Sequence, residues 1–65
     1  MKQVYVARNE VDARLVCQML SKENILAVVR ADPVPITAQP FPCVYVVHEQ
    51  DVARAEELVR EYVAD

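Results

Sequence analysis

The stretch "KQVYVARNEVDARLVCQMLSKENILAVVRA", residues 2–31, predicts a strand, a helix and a second strand in succession, and this unit sets the topology. Lys2–Ala7 is rich in β-formers and predicts the first strand. A helix over about residues 10–23 follows, and "ILAVVRA" predicts the second strand. The helix has an apolar face made of Ala13, Leu15, Val16, Met19 and Leu20. Two strands joined through a helix run parallel, with a right-handed crossover.

Both ends of this helix carry recognisable caps. Asn9 is a good N-cap, and Asp12 places a carboxylate near the positive end of the helix dipole. Asn24 falls at the position after the C-cap, where a left-handed backbone is needed and Asn is the best substitute for Gly. Ile25 would then contact Leu20 in a Schellman motif.

The rest of the chain supplies a third strand and a second helix. "CVYVVH", residues 43–48, is dense in β-branched residues, and "HEQD" opens a helix with acids in its first turn. This helix gives the clearest periodic signal, with an apolar face of Val52, Ala55, Leu58, Val59, Tyr62 and Val63. The resulting order is β-α-β-β-α.

This order predicts one α+β domain over residues 1–65. The third strand runs antiparallel to the other two, and the compact solution inserts it between them. The sheet then has the order 1-3-2 with both helices on one face, which is a ferredoxin-like split βαββα arrangement without its last strand. Sheet order 1-2-3, which keeps the first two strands adjacent, is the alternative.

Composition narrows the classes of partner. The chain has 65 residues, a formal net charge of −3 and no glycine. Basic residues scattered among carboxylates argue against nucleic acid as a partner. No apolar run reaches the length of a membrane span, and two cysteines do not make a secreted disulfide framework. We therefore expect no membrane and a cytoplasmic location. A core this small stabilises a domain only marginally, which favours self-association.

The sequence contains few residues in patterns typical of a catalytic or cofactor-binding site. The absence of glycine argues against the usual phosphate loops and dinucleotide motifs. Cys43 and His48 lie five positions apart, so a regular strand would point them to opposite faces. Cys17 is better explained as a small hydrophobe, and the three residues lack paired zinc-ligand spacing. We expect no enzyme, no metal and no cofactor.

The sheet face opposite the helices is the first candidate site. Successive residues of a strand point to opposite faces of the sheet, which leaves an apolar patch on the side away from the helices. The residues that we expect to face the helices are Val4, Val6, Ala27, Val29, Val44 and Val46. A monomer seldom leaves such a patch bare, and tyrosine is enriched in interfaces. The candidate interface residues are Tyr5, Leu26, Val28, Tyr45 and Val47.

The second candidate is the connection "ADPVPITAQPFP", residues 31–42, which holds every proline and the one phenylalanine of the chain. It is longer than most hairpin loops, and its prolines should make it stiff. It would present its apolar side chains either to a protein partner or to the bare sheet. The candidate loop residues are Pro33, Pro35, Ile36, Pro40, Phe41 and Pro42.

Nearly the whole chain resembles a small bacterial family of unknown function labelled prokaryotic signal-transducing proteins. The resemblance lies in "VYVARNEVDA", "LSKENILAVV" and "VYVVHEQDVARAEEL". Asn24 departs from the Gly that is common there, and Glu10 departs from a frequent Pro. The family is associated with a GlnB-like fold, so the resemblance implies a signalling role by analogy. The loop occupies the place through which nitrogen regulators reach their partners.

Two hypotheses of function follow. The first is a non-enzymatic regulatory module that forms a homo-oligomer through its open sheet and engages an unidentified protein through its loop. The second is a small-molecule sensor that binds a ligand at a subunit interface, near the loop and the open-face tyrosines.

Overall fold

The computed structural model describes residues 1–31 and 41–64, which form a three-stranded antiparallel sheet and two helices. The order along the chain is β1 (Lys2–Val6), α1 (Glu10–Lys22), β2 (Ala27–Arg30), β3 (Cys43–Val46), a 3₁₀ turn (Glu49–Asp51) and α2 (Val52–Ala64). The sheet order is β1-β3-β2. The predicted α+β fold and its 1-3-2 order are confirmed. Four loop positions of the second candidate site, Pro33, Pro35, Ile36 and Pro40, lie outside the described residues.

The caps of α1 are the predicted ones. The Asn9 side chain accepts a hydrogen bond from the Asp12 amide at 2.8 Å. At the other end, Asn24 has φ 61°, and Ile25 N–H donates to the Leu20 carbonyl at 3.0 Å. Asn24 N–H donates to the Ser21 carbonyl at 3.0 Å, which completes a Schellman motif. These local bonds end the helix and direct the chain into β2.

The core lies between the sheet and both helices. Val44 and Val46 of β3 are fully buried beneath the helices. Each helix contributes a triplet of buried residues to the same cluster: Ala13, Val16 and Leu20 from α1, and Ala55, Leu58 and Val59 from α2. Both helices therefore cover the sheet face that carries Val44 and Val46.

Two predicted face positions on the helices are wrong. Leu15 is 49% exposed and Val63 is 62% exposed, although both were assigned to apolar faces. Leu15 lies at the margin of the stripe formed by Ala13, Val16 and Leu20. Val63 lies one residue before the end of α2, where the helix extends past the buried part of its face.

β1 contains an irregularity that the sequence did not predict. Gln3 lies opposite Tyr45, and Tyr5 lies opposite Val44, so Val4 is an extra residue between the two pairs. A bulge of this kind reverses which face the later residues occupy. Tyr5 and Ala7 therefore face the helices, and Val6 turns to the open side.

Candidate interaction surface

The open face of the sheet is the side that neither helix covers. Register assigns its members, because directly opposed residues in an antiparallel pair share a face. Val28 opposes Tyr45, and Val6 opposes Cys43. Leu26 precedes Val28 in the same alternation. By this register, the open face consists of Gln3, Val6, Leu26, Val28, Arg30, Cys43 and Tyr45, and it continues just past β3 with Val47, which bonds Leu26.

Apolar side chains on this face are accessible. Val6 is 51% exposed and Leu26 is 55% exposed, at opposite edges of the sheet. Val28 and Tyr45 are half-buried between them. The Tyr45 hydroxyl lies 3.5 Å from Gln3 Oε1, which is a long hydrogen bond. The polar tip of the tyrosine thus remains near solvent while its ring lies on the apolar part of the face.

One predicted member of this face is misplaced. Tyr5 lies on the helix side, where its ring packs edge-on against Tyr62 with centroids 5.9 Å apart. The bulge at Val4 is the physical reason. Leu26, Val28 and Tyr45 lie where they were predicted, and half-buried Val47 continues their alternation just past β3. Val6 takes the place that was assigned to Tyr5.

This correction bears on the sensor hypothesis. Tyr5 and Tyr45 lie on opposite faces of the sheet, so a ligand cannot contact both as a pair on the open face. Tyr45 is the tyrosine that the open face retains.

At the described end of the proline-rich loop, Phe41 is exposed and Pro42 is buried. Phe41 is 55% exposed. Pro42 is buried, and its carbonyl accepts a hydrogen bond from Ala7 N–H at 2.8 Å. Pro42 was predicted to belong to the partner-binding loop, but its burial and this bond make it part of the sheet end. Among the candidate loop residues, Phe41 is both described and exposed.

A polar cluster on the helix side joins three elements. The Asp12 carboxylate of α1 accepts hydrogen bonds from Tyr5 Oη of β1 at 2.7 Å and from Tyr62 Oη of α2 at 2.6 Å. It also accepts one from Arg8 N–H at 3.2 Å. We call Tyr5, Asp12 and Tyr62 the Asp12 clasp. It ties the start of α1 to the end of α2 and to the bulged strand.

The clasp sets the protonation of its members. The hydrogen bonds from Tyr62 and Tyr5 hold the pKa of the Asp12 carboxyl below its ordinary value. The hydrogen bond to Asp12 raises the pKa of Tyr5 to about 12, and the same contact raises the pKa of Tyr62. The tyrosines therefore stay protonated as donors, and Asp12 stays ionised as the acceptor. Both tyrosine hydroxyl protons are thus directed at Asp12, which makes the clasp a structural link between three elements.

Other reactive groups are dispersed. Burial raises the pKa of the Cys17 thiol, which disfavours the reactive thiolate. Cys43 lies on the open face, with Sγ 3.5 Å from the Phe41 carbonyl oxygen, and His48 lies beyond the end of β3. Among residues 1–31 and 41–64, no group of three or more His, Cys, Asp or Glu side chains could hold a metal ion.

Two surface hollows lie on the helix side. One, of about 420 Å³, is lined by Tyr5, Arg8, Asp12, Tyr62 and Val63 and is the outer side of the Asp12 clasp. The other, of about 670 Å³, lies at the start of α2. There Lys2 Nζ is 3.9 Å from Glu56 Oε2, so the lysine and this carboxylate on its wall offset each other's charge.

Comparison with known proteins gave no matching family model, curated protein or solved structure. The resemblance to the signal-transducing family therefore stays a prediction. In the described part of the chain, neither helix has the length and apolar character needed to cross a membrane.

Proposed function

We propose that this protein is a non-enzymatic regulatory module that forms a homo-oligomer through the open face of its sheet. The observation that carries the proposal is the apolar open face, on which Val6 and Leu26 are each about half exposed. Apolar patches of this kind on small domains mark interaction sites. A second copy supplies a matching surface, because a two-fold axis pairs a patch with itself.

Size supports the same proposal. In a chain of 65 residues the apolar area buried on folding scarcely exceeds the entropy cost of ordering. Covering the open face removes further apolar surface from water. Association then stabilises the folded state by mass action, so folding and assembly are coupled.

The non-enzymatic part of the proposal draws on the Asp12 clasp. Its carboxylate and both hydroxyls are already joined to one another at 2.6 and 2.7 Å. A general acid or base must instead reach a substrate proton. The regulatory part draws on the family resemblance. The two free cysteines, Cys17 and Cys43, fit the reducing cytoplasm that we include in the proposal.

The proposal gives the proline-rich loop a separate role in contacting an unidentified protein. The exposed ring of Phe41 supports this role. Aromatic side chains with accessible faces are common anchors in protein interfaces.

A dilution series followed by NMR tests the open face directly. We expect amide shifts that depend on protein concentration at Val6, Val28 and Tyr45. The exposed apolar helix positions Val11 and Leu15, at 67% and 49% exposure, serve as internal controls. Shifts that move at Val11 and Leu15 while the open face stays constant would place any association on α1 and contradict the proposal.

A further inference from the structure

The two edges of the sheet differ in how well they can accept another strand. β1 is interrupted by the bulge at Val4, and it begins with the charged residue Lys2. Bulges and lysines are the devices by which proteins protect edge strands. β2 has an unbroken register with β3 from Ala27 to Arg30, and within it only the last residue is charged. Among the described residues, the edge formed by β2 therefore has a regular backbone, whereas the edge formed by β1 is interrupted.

The outward backbone groups of β2 can be assigned from one hydrogen bond. Val47 N–H donates to the Leu26 carbonyl at 3.1 Å, so Leu26 directs its backbone groups toward β3. The direction of the backbone N–H and C=O groups alternates from residue to residue along an antiparallel strand. The backbone groups of Val28 therefore point toward β3 as well. Ala27 and Val29 point their N–H and C=O groups away from the sheet. No described residue bonds these outward groups.

We propose that β2 pairs antiparallel with β2 of a second copy of this chain, with the two Val28 residues opposite each other across a two-fold axis. Ala27 of each copy then lies opposite Val29 of the other, so their outward N–H and C=O groups bond in pairs. This register uses the outward groups of the whole strand. It also keeps the two Arg30 side chains apart, because each lies opposite Leu26 of the other copy.

The strand that we place beside β2 is β2 of a second copy, because in this register the bonding groups and side chains of the two strands match. A two-fold axis perpendicular to the sheet keeps open face beside open face and helix side beside helix side. On the helix side, Val29 is 38% exposed and gains Ala27 of the second copy as its neighbour. On the open side, Leu26 and Val28 become central residues of a wider apolar surface.

Edge pairing is a contact distinct from the open-face association of the proposed function. Either contact can exist without the other, because one uses backbone groups at an edge and the other uses side chains on a face. The edge contact has its two-fold axis perpendicular to the sheet, whereas the open-face contact has its axis parallel to the sheet.

Amide hydrogen exchange at Ala27 and Val29 tests edge pairing. We expect exchange at both amides to slow by at least about tenfold as protein concentration rises from the monomeric to the associated range. The Val28 amide, which points toward β3, should stay protected throughout and serves as the control. Ala27 and Val29 amides that exchange fast at every concentration, while Val28 is protected, would overturn the proposal. The same experiment in Val6→Glu separates the two contacts. Protection of Ala27 and Val29 that persists in this variant belongs to edge pairing, since the substitution opposes the open-face contact.

A proline variant provides the second test. Val29→Pro removes an N–H that bonds no described residue, so the β2–β3 ladder can persist. We expect Val29→Pro to lose the concentration-dependent protection of Ala27, whereas Val29→Thr, which keeps the N–H, retains it. Equal protection of Ala27 in the two variants would refute the edge contact. If Val29→Pro does not fold, as loss of Val28 protection would show, the comparison of Ala27 and Val29 in the wild type still decides.

Discussion

At the scale of single residues, Asp12 has two tasks that the sequence shows only in part. Its position three residues after Asn9 predicts a carboxylate in the first turn of α1, where the structure places it, and its amide N–H donates to the Asn9 side chain. Its bonds to Tyr5 and Tyr62 depend on β1 and α2, which are distant in sequence. The sequence contains one hint of these bonds. Tyr62 lies at the end of the apolar face of α2, and a partly buried tyrosine hydroxyl usually has a hydrogen-bond partner.

Replacing the Asp12 carboxylate should change how stability depends on pH. We expect Asp12→Asn to lower the free energy of unfolding at pH 7 by about 1 kcal/mol, since a charged acceptor is lost at a partly exposed site. The native pKa of Asp12 is lowered, so its contribution is present above the unfolded-state value of 3.8 and is lost as pH falls through the native value. The difference between wild type and Asp12→Asn should therefore shrink below about pH 4.

Urea unfolding between pH 7 and pH 3 measures this difference. Glu10→Gln, an acid in the same first turn, is the control and should show a smaller change. A constant gap between wild type and Asp12→Asn across this range would show that the clasp does not depend on an ionised carboxylate.

Asn24 is the second residue with a sharp physical requirement. Its φ of 61° is in the left-handed region, where a Cβ-bearing residue without a suitable polar side chain is disfavoured. We expect Asn24→Ala to lower the free energy of unfolding by about 1 kcal/mol. Lys22→Ala, at the last residue of α1, should be nearly neutral. Chemical denaturation of both variants checks this, and equal midpoints would contradict the assignment.

At the scale of elements, the chain order, helix caps and sheet order follow from local signals combined with crossover handedness. Asn9 and Asn24 determine where α1 begins and ends through bonds to nearby backbone groups. The faces of β2 and β3 follow from simple alternation. The faces of β1 do not follow from alternation because of the bulge at Val4. The sequence gives no sign of this bulge, since the position has neither Gly nor Pro. The face that Tyr5 occupies is set by tertiary partners.

Deleting Val4 tests the bulge as an element. The pairs Gln3–Tyr45 and Tyr5–Val44 already share the register of a regular strand once Val4 is removed. We expect the deletion variant to keep the fold and the Asp12 clasp, with a loss of about 1–2 kcal/mol from the packing of Val4. Deleting Val6 instead should shift Ala7 out of its buried position and cost more. Thermal unfolding compares the two, and a greater loss on deleting Val4 would contradict the register.

At the scale of the whole molecule, one layer of helices on a three-stranded sheet leaves half of the sheet surface without a described cover. The sequence predicted this open face and four of its apolar members, Leu26, Val28, Tyr45 and Val47. It could not place Val6 there, because the face depends on the bulge. The face that neither helix covers and the regular β2 edge are the two features on which the proposed association of several copies rests.

The mass in solution of two matched variants tests the open-face association most directly. Val6 and Val11 are both exposed, at 51% and 67%, but Val6 lies on the open face and Val11 lies on α1. By sedimentation equilibrium we expect the wild type and Val11→Glu to share a mass above the 7.4 kDa of one chain, and Val6→Glu to show a lower mass than either. A glutamate on an apolar interface must be desolvated, which opposes association. A wild type that stays at 7.4 kDa at all concentrations, or a Val6→Glu variant that keeps the wild-type mass, would contradict the account.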